Sequence, residues 1–250
     1  ELRRGLSEGQ FEMYFQPIVA VRDARVVGFE ALLRWRHPER GVLPPAAFLD
    51  EAASIGVLDA LESFALESAL EQLSAWSRQG KSRFKVAVNV SARRFQHDDL
   101  VEKVVDACSR FEVAPDRLNL EITENTALRD LPHAARQINA LQKVGVNVAL
   151  DDFGTGYSSL ANLIKLPVDS IKLDREFLAG MLNNSRQRGL VAAMIGLGHR
   201  LGLEVVAEGV ELSAQLEFLA AHDCDLAQGY LLQRPDVPTA CRFELMPLPG

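Results

Sequence analysis

Cysteine is scarce and scattered here: Cys108, Cys224 and Cys241 are the only three in 250 residues. An odd number at such separations offers neither a disulfide framework nor a C-x-x-C zinc site, and it fits a reducing, cytoplasmic setting. No apolar run reaches the roughly 18 residues of a membrane span. Residues 1–9 lack the basic, apolar and small-residue order of a signal peptide, so no membrane contact is expected from this segment. Blocks of Lys or Arg are missing too. The 27 basic residues are outnumbered by 34 acidic ones, for a net charge of −7, which argues against duplex nucleic acid as a partner. Low-complexity stretches and fixed-period repeats are also absent. What remains is a globular chain whose 48% hydrophobic content can bury a core. An anionic ligand would need local cations to overcome the global charge, and carboxylates loaded with divalent metals would supply them.

Strand-length apolar runs alternate with helical patterns almost throughout. Strands are predicted near residues 12–19, 26–34, 84–90, 118–122, 146–151, 170–173, 203–207 and 226–231. Helices are predicted near 60–78, 100–111, 131–144, 187–201 and 213–221, the first carrying Leu61, Phe64, Ala69, Leu73 and Trp76 on one stripe. Parallel neighbours need long crossovers that a helix fills, so this order predicts a mainly parallel sheet of the size of a (β/α)8 barrel. Residues 21–25 are too few for a parallel crossover, so the first strand should run antiparallel. A doubly wound open sheet is the rival, but no G-x-G-x-x-G follows the first strand.

Chemistry in such barrels sits where the parallel strands end. Those positions carry Glu30, Asn89, Glu121, the pair Asp151 and Asp152, Lys172, Glu208 and Gln228. A single strand-end carboxylate is usually a helix cap, and the alternative for Lys172 is half of a buried Lys–Asp pair. Carboxylates from so many strands meeting at one mouth would repel one another unless cations neutralised them. An all-oxygen set with one Asn amide, and no His or Cys, suits Mg²⁺ or Mn²⁺ better than Zn²⁺. Two such ions about 4 Å apart can clamp a phosphodiester for hydrolysis. Lys172 would add positive charge in the transition state. The stretch Asp151 to Leu160, with Gly154 and Gly156, reads as a phosphate cradle, a mobile catalytic loop or a plain turn. His37, His97, His133, His199 and His222 have no ligand spacing, and Trp35 reads as packing.

These residues resemble the EAL family of cyclic-di-GMP phosphodiesterases from Leu2 to about Pro238. The match rests on Glu30-Ala31-Leu32 with Leu33-Arg34-Trp35, then Asn89-Val90-Ser91, Glu121-Ile122-Thr123-Glu124 and Asp151 to Ser159. Lys172-Leu173-Asp174-Arg175, Glu208-Gly209-Val210-Glu211 and Gln228-Gly229-Tyr230 follow in the family's order. Departures are few: the Phe48 to Gly56 stretch with Asp50, Glu51 and Ser54, Leu232-Gln233, and His222. None touches an expected metal ligand.

The resemblance implies a single domain, residues 1–250, cut from a larger multidomain signalling protein that carries a sensor or diguanylate cyclase and, in segments outside this chain, any membrane anchor. It implies hydrolysis of cyclic-di-GMP to linear pGpG with two Mg²⁺ or Mn²⁺ ions; Ca²⁺, larger and more loosely coordinated, is expected to occupy such a site and inhibit. Glu30, Asn89, Glu121 and Asp151 would ligate one metal, and Asp151, Asp152 and Glu208 would serve the second, partly through water. Lys172 would orient the attacking water, and Glu124 would hold the loop that begins at Asp151. Arg34 would meet a phosphate, with Gln16, Leu32, Asp174, Glu211, Gln228 and Tyr230 around the ligand. A homodimer through the Asp151–Ser159 loop and the helix after it is also implied. The competing function is a receptor domain that binds cyclic-di-GMP without cleaving it and signals through protein contacts; the presence of every expected ligand favours the enzyme.

Overall fold

The computed structural model describes residues 1–154 and 160–244. Its strands are β1 (Phe11–Ala20), β2 (Val26–His37), β3 (Gly41–Leu43), β4 (Lys85–Asn89), β5 (Leu118–Thr123), β6 (Asn147–Phe153), β7 (Ser170–Leu173), β8 (Glu204–Ala207) and β9 (Leu226–Ala227). β1 lies antiparallel to β2 on one side and to β9 on the other, while β2 and β4 to β9 run parallel. All but β3 therefore close into a ring, in the order β1, β2, β4, β5, β6, β7, β8, β9. This is the (β/α)8 barrel with an antiparallel first strand that the element order predicts. β3 stands outside the ring, paired to the far end of β2 from Trp35 to His37.

The period-2 alternation of the strands divides two environments. On β1 and β2 the outward residues Phe11, Phe15, Phe29, Leu33 and Trp35 are buried. They pack under the helix Leu58–Arg78, whose Leu61, Ala65, Ala69, Leu73 and Trp76 are buried at helical spacing. Phe64, placed by the sequence on that stripe, is only partly buried. The Trp76 ring lies 5.0 Å from Phe15 and 4.8 Å from Phe29, centroid to centroid. The β1–β2 hairpin contributes no covering helix, and Phe243 fills part of that deficit, 5.3 Å from both Phe29 and Trp76. Inside the ring a small apolar set, Ile18, Ala87 and Val206, lies beneath the polar residues of the mouth.

The ends of two strands differ from expectation, and both differences matter at the mouth. β2 continues to His37, paired to β1 as far as Trp35 and to β3 from there, and Glu30 stands in mid-strand rather than at a strand end. β9 stops at Ala227 instead of running to Leu231. At Gly229 an added Cβ would collide with the main chain of Val210, so the chain there crosses close over its neighbour and leaves the ladder. Gln228 is thus carried just past the strand, fixed by its N–H donating to Ala207 O at 2.9 Å.

Candidate active site

Glu30 and Gln16 are directly opposed in the antiparallel β1–β2 pair, so both side chains point to the same face, here the inside of the ring. Parallel register then sets Asn89 beside Glu121 and Thr123 beside Asp151. Lys172 on β7 and Glu208 just after β8 complete the circle. The centre of the cluster is the Lys172 ammonium. Its Nζ lies 2.6 Å from Glu208 Oε1, 2.8 Å from Glu121 Oε2, 3.3 Å from Asp151 Oδ1 and 3.7 Å from Glu30 Oε2. The Lys172 residue is 1% exposed and Glu121 likewise 1%, so this charge meeting takes place out of water.

Glu30 is held from two sides. Asn89 Nδ2 donates to Oε1 at 2.8 Å and Gln228 Nε2 donates to Oε2 at 2.6 Å. Gln228 Nε2 also donates to Gln16 Oε1 at 2.8 Å, and Gln16 Nε2 to Gln233 O at 3.0 Å. Gln16 and Gln228, expected around a ligand, are both buried and orient Glu30. Gln228 Oε1 is buried without a hydrogen-bond partner.

The electrostatics follow from crowding. Burial works against the Glu30 charge, but Lys172 and the amides of Gln228 and Asn89 outweigh it and hold the carboxyl below its usual range. Burial drives Glu121 well above its usual range, with Glu30 and Asp151 adding repulsion. Glu208 is pushed up to about 7 by burial and by Asp151 and Glu30, against the pull of Lys172. Asp152 is pushed up to about 6 by burial, Asp151 and Asp174. Lys172 loses hydration, yet the carboxylates around it raise its pKa well above the ordinary lysine value. It is therefore an ammonium, and four carboxylates lie within 4 Å of it.

That excess of negative charge on oxygen-only donors is the chemistry of a hard divalent-cation site. The carboxylates as they stand are turned onto Lys172, and among the described residues no group of three or more His, Cys, Asp or Glu is arranged to close on an ion. The residue types fit such ions; their placement here is the arrangement with the ammonium at the centre.

The remaining expected residues fall around this core. Asp152 has φ 54°, left-handed backbone that a non-glycine residue adopts at a cost, and its N–H donates to Asp151 Oδ1 at 3.0 Å. Glu124, buried, accepts the N–H of Gly154 at 3.0 Å and so pins the chain as it leaves β6. Gly154 has φ +92°, and a Cβ there would stand 2.7 Å from Met194 Cε. Thr155–Ser159, with Gly156 of the supposed phosphate cradle and most of the supposed dimer loop, lie outside the described residues. Asp174 caps the short helix Arg175–Leu178, accepting the N–H of Glu176 at 2.7 Å. A cleft of about 250 Å³ above the cluster is lined by Gln16, Glu30, Leu32, Arg34, Asp151, Lys172, Glu208, Glu211, Gln228 and Tyr230. Arg34 donates to Leu33 O at 2.9 Å, and burial depresses its pKa. Tyr230 is 49% exposed, with the Arg234 guanidinium 4.1 Å over its ring. Arg175, quoted in the Lys172 to Arg175 motif without a role of its own, also lines the cleft. Other hollows of similar size exist, so chemistry rather than volume distinguishes this one.

The family model described as EAL domain matches residues 1–235. Among curated relatives, the Pseudomonas aeruginosa protein MucR, named as a bifunctional diguanylate cyclase/cyclic di-GMP phosphodiesterase, is 40% identical over 94% of this chain and 34% of its own length. The cyclic di-GMP phosphodiesterase NbdA of the same organism is 39% identical over 98% of this chain and 31% of its own. This chain thus spans about a third of the length of the curated relatives it matches. A solved structure described as PaMucR phosphodiesterase in complex with c-di-GMP is 40% identical, with a TM-score of 0.91 over 94% of this chain and 96% of that one.

Proposed function

This chain belongs to the EAL domain family, and from that premise we propose that it hydrolyses cyclic-di-GMP to linear 5′-pGpG at the cluster around Lys172. The observation that carries this reading is the convergence of Glu30, Glu121, Asp151 and Glu208 on one buried ammonium at the floor of an open cleft. Two ions, Mg²⁺ or Mn²⁺, would be held by Glu30, Asn89, Glu121 and Asp151 on one side and by Asp151, Asp152 and Glu208 on the other. Bound there, they supply Lewis-acid polarisation of the phosphate and a more acidic water.

The chain's own residues do the rest. Glu208 and Asp152 are pushed toward protonation near neutral pH in the metal-free chain, and an ion held by them would displace those protons. Water attacks phosphorus and gives up a proton to solvent, the bond to the 3′ oxygen breaks, that oxygen takes a proton from solvent to become a hydroxyl, and the phosphate stays on the 5′ oxygen. Lys172 would orient the attacking water and keep a positive charge beside the reacting phosphate. Arg34 meets a phosphate from the rim, with Leu32, Asp174, Glu211 and Tyr230 around the nucleotide. Glu124 acts at one remove, through Gly154 and the loop.

Incubation with cyclic-di-GMP and Mg²⁺, with products resolved by chromatography, tests the reading: pGpG is expected, and Glu30→Ala abolishes it. Tight binding with no product at saturating metal would make the domain a receptor instead. Ca²⁺, larger and more loosely coordinated, should occupy the site and inhibit; a metal competition series checks it. The shares of the relatives' lengths support one domain, residues 1–250, within a larger signalling protein in which sensor or diguanylate cyclase domains are the partners. The domain pairs as a homodimer, which light scattering checks.

A further inference from the structure

Resting on the proposed metal site, we infer that Glu62 is a positioning residue for Asn89, through the main chain of Ser91. Glu62 lies on the helix Leu58–Arg78, outside the ring, and no motif of the sequence includes it. Its Oε1 accepts the N–H of Ser91 at 2.7 Å. Its Oε2 is buried without a hydrogen-bond partner.

A half-buried carboxylate with one unsatisfied oxygen is unfavourable, and burial accordingly raises its pKa. An apolar side chain there would remove the unpaired Oε2 but would also leave the Ser91 N–H without its acceptor. What only an acceptor can do there is fix Ser91. That residue follows β4 by two positions, and its own Oγ caps the next helical turn by accepting the Arg94 N–H at 3.2 Å.

Asn89 ends β4, where the ladder is running out. Val90 N–H still donates to Glu121 O at 2.9 Å, and Ser91 N–H turns to Glu62. The main chain just after Asn89 is thus tied to β5 on one side and to the helix on the other. With that anchor, Asn89 Nδ2 reaches Glu30 at 2.8 Å, and the amide oxygen is left for an ion. Glu124 uses the same device on the next acidic strand, its carboxylate accepting the N–H of Gly154 beyond Asp151 and Asp152. Two carboxylates outside the ligand set each secure the chain just beyond a proposed ligand.

The test compares Glu62→Gln, which keeps an acceptor, with Glu62→Ala and Glu62→Met, which do not; Met preserves the volume should Ala fail to fold. Mn²⁺ binding to the metal-free chain is read by calorimetry, beside the melting temperature of the same samples. Loss of a group that orients a metal ligand weakens affinity by about 10-fold or more. That weakening is expected in Ala and Met, with Gln within about twofold of wild type. Variants that melt lower but bind Mn²⁺ like wild type would make Glu62 a stability residue only and overturn the inference, leaving the proposed function standing. A wild-type chain that binds no Mn²⁺ would overturn both.

Discussion

Lys172 is the residue on which the site turns. In the metal-free protein it is the cation on which Glu30, Glu121, Asp151 and Glu208 converge, so its removal leaves buried charges without their shared partner. Lys172→Met should lower stability by about 3–5 kcal/mol at pH 8, the range for breaking a buried ion pair from one side. At pH 5 the carboxylates left behind can take up protons, and the loss should be smaller; urea denaturation at the two pH values checks this. A loss independent of pH would mean that the lysine stem, and not its charge, matters there. Asn89 and Gln228 show the same economy at lower charge, since with Lys172 their amides keep Glu30 ionised while its neighbours are driven toward protonation.

At the scale of elements, the important joints are the places where strands hand over to loops. The exit from β6 combines Asp152 at φ 54°, Gly154 at φ +92° and the buried Glu124 that accepts the Gly154 N–H. Gly154→Ala would set a Cβ 2.7 Å from Met194 Cε and 2.9 Å from Phe177 Cζ, in backbone that L residues avoid. A stability loss of about 1–2 kcal/mol is expected, with a drop in turnover at unchanged fold. Melting curves and rates measured on the same preparation would reveal turnover at the wild-type level if the joint were unimportant. The element order itself was readable from the sequence, because apolar periodicity is local. The end of β9 was not readable: the apolar run continues through Tyr230, Leu231 and Leu232, and only the close crossing of Gly229 over Val210 ends the strand. β3 was equally hidden, being three residues whose strand character comes from pairing to β2.

For the whole molecule, the cluster makes stability depend on pH. Glu208 has an ordinary pKa of 4.5 when unfolded and about 7 when folded without metal. As pH rises through that window the unfolded chain releases its proton first, so the unfolded state binds fewer protons and stability falls. Asp152 contributes in the same sense between 3.8 and about 6. The metal-free melting temperature should therefore decline from pH 5 to pH 7.5 on this account. Divalent ions compete with those same protons, so the rise in melting temperature on adding Mn²⁺ should grow with pH across the same window. Scanning calorimetry with and without Mn²⁺ checks both slopes; a metal increment that shrinks with pH would place the ion elsewhere. No helix among the described residues is long and apolar enough to cross a membrane.

The sequence by itself determined the alternation of strands and helices, the antiparallel start and the positions of the acidic residues, because a period of two along a strand and a connection too short to cross over are local facts. Tertiary structure decided how those residues meet. Ring closure pairs β1 with β9 and brings Gln16 to Gln228 across 212 positions, and it makes Lys172 a hub where the sequence offered a water-orienting group or half of a simple ion pair. It also brings Glu62 beneath Ser91 from a helix surface where a carboxylate reads as solvent-facing charge. Side-chain direction is written in neighbouring residues; the partner it finds depends on which distant strand the folded chain lays alongside.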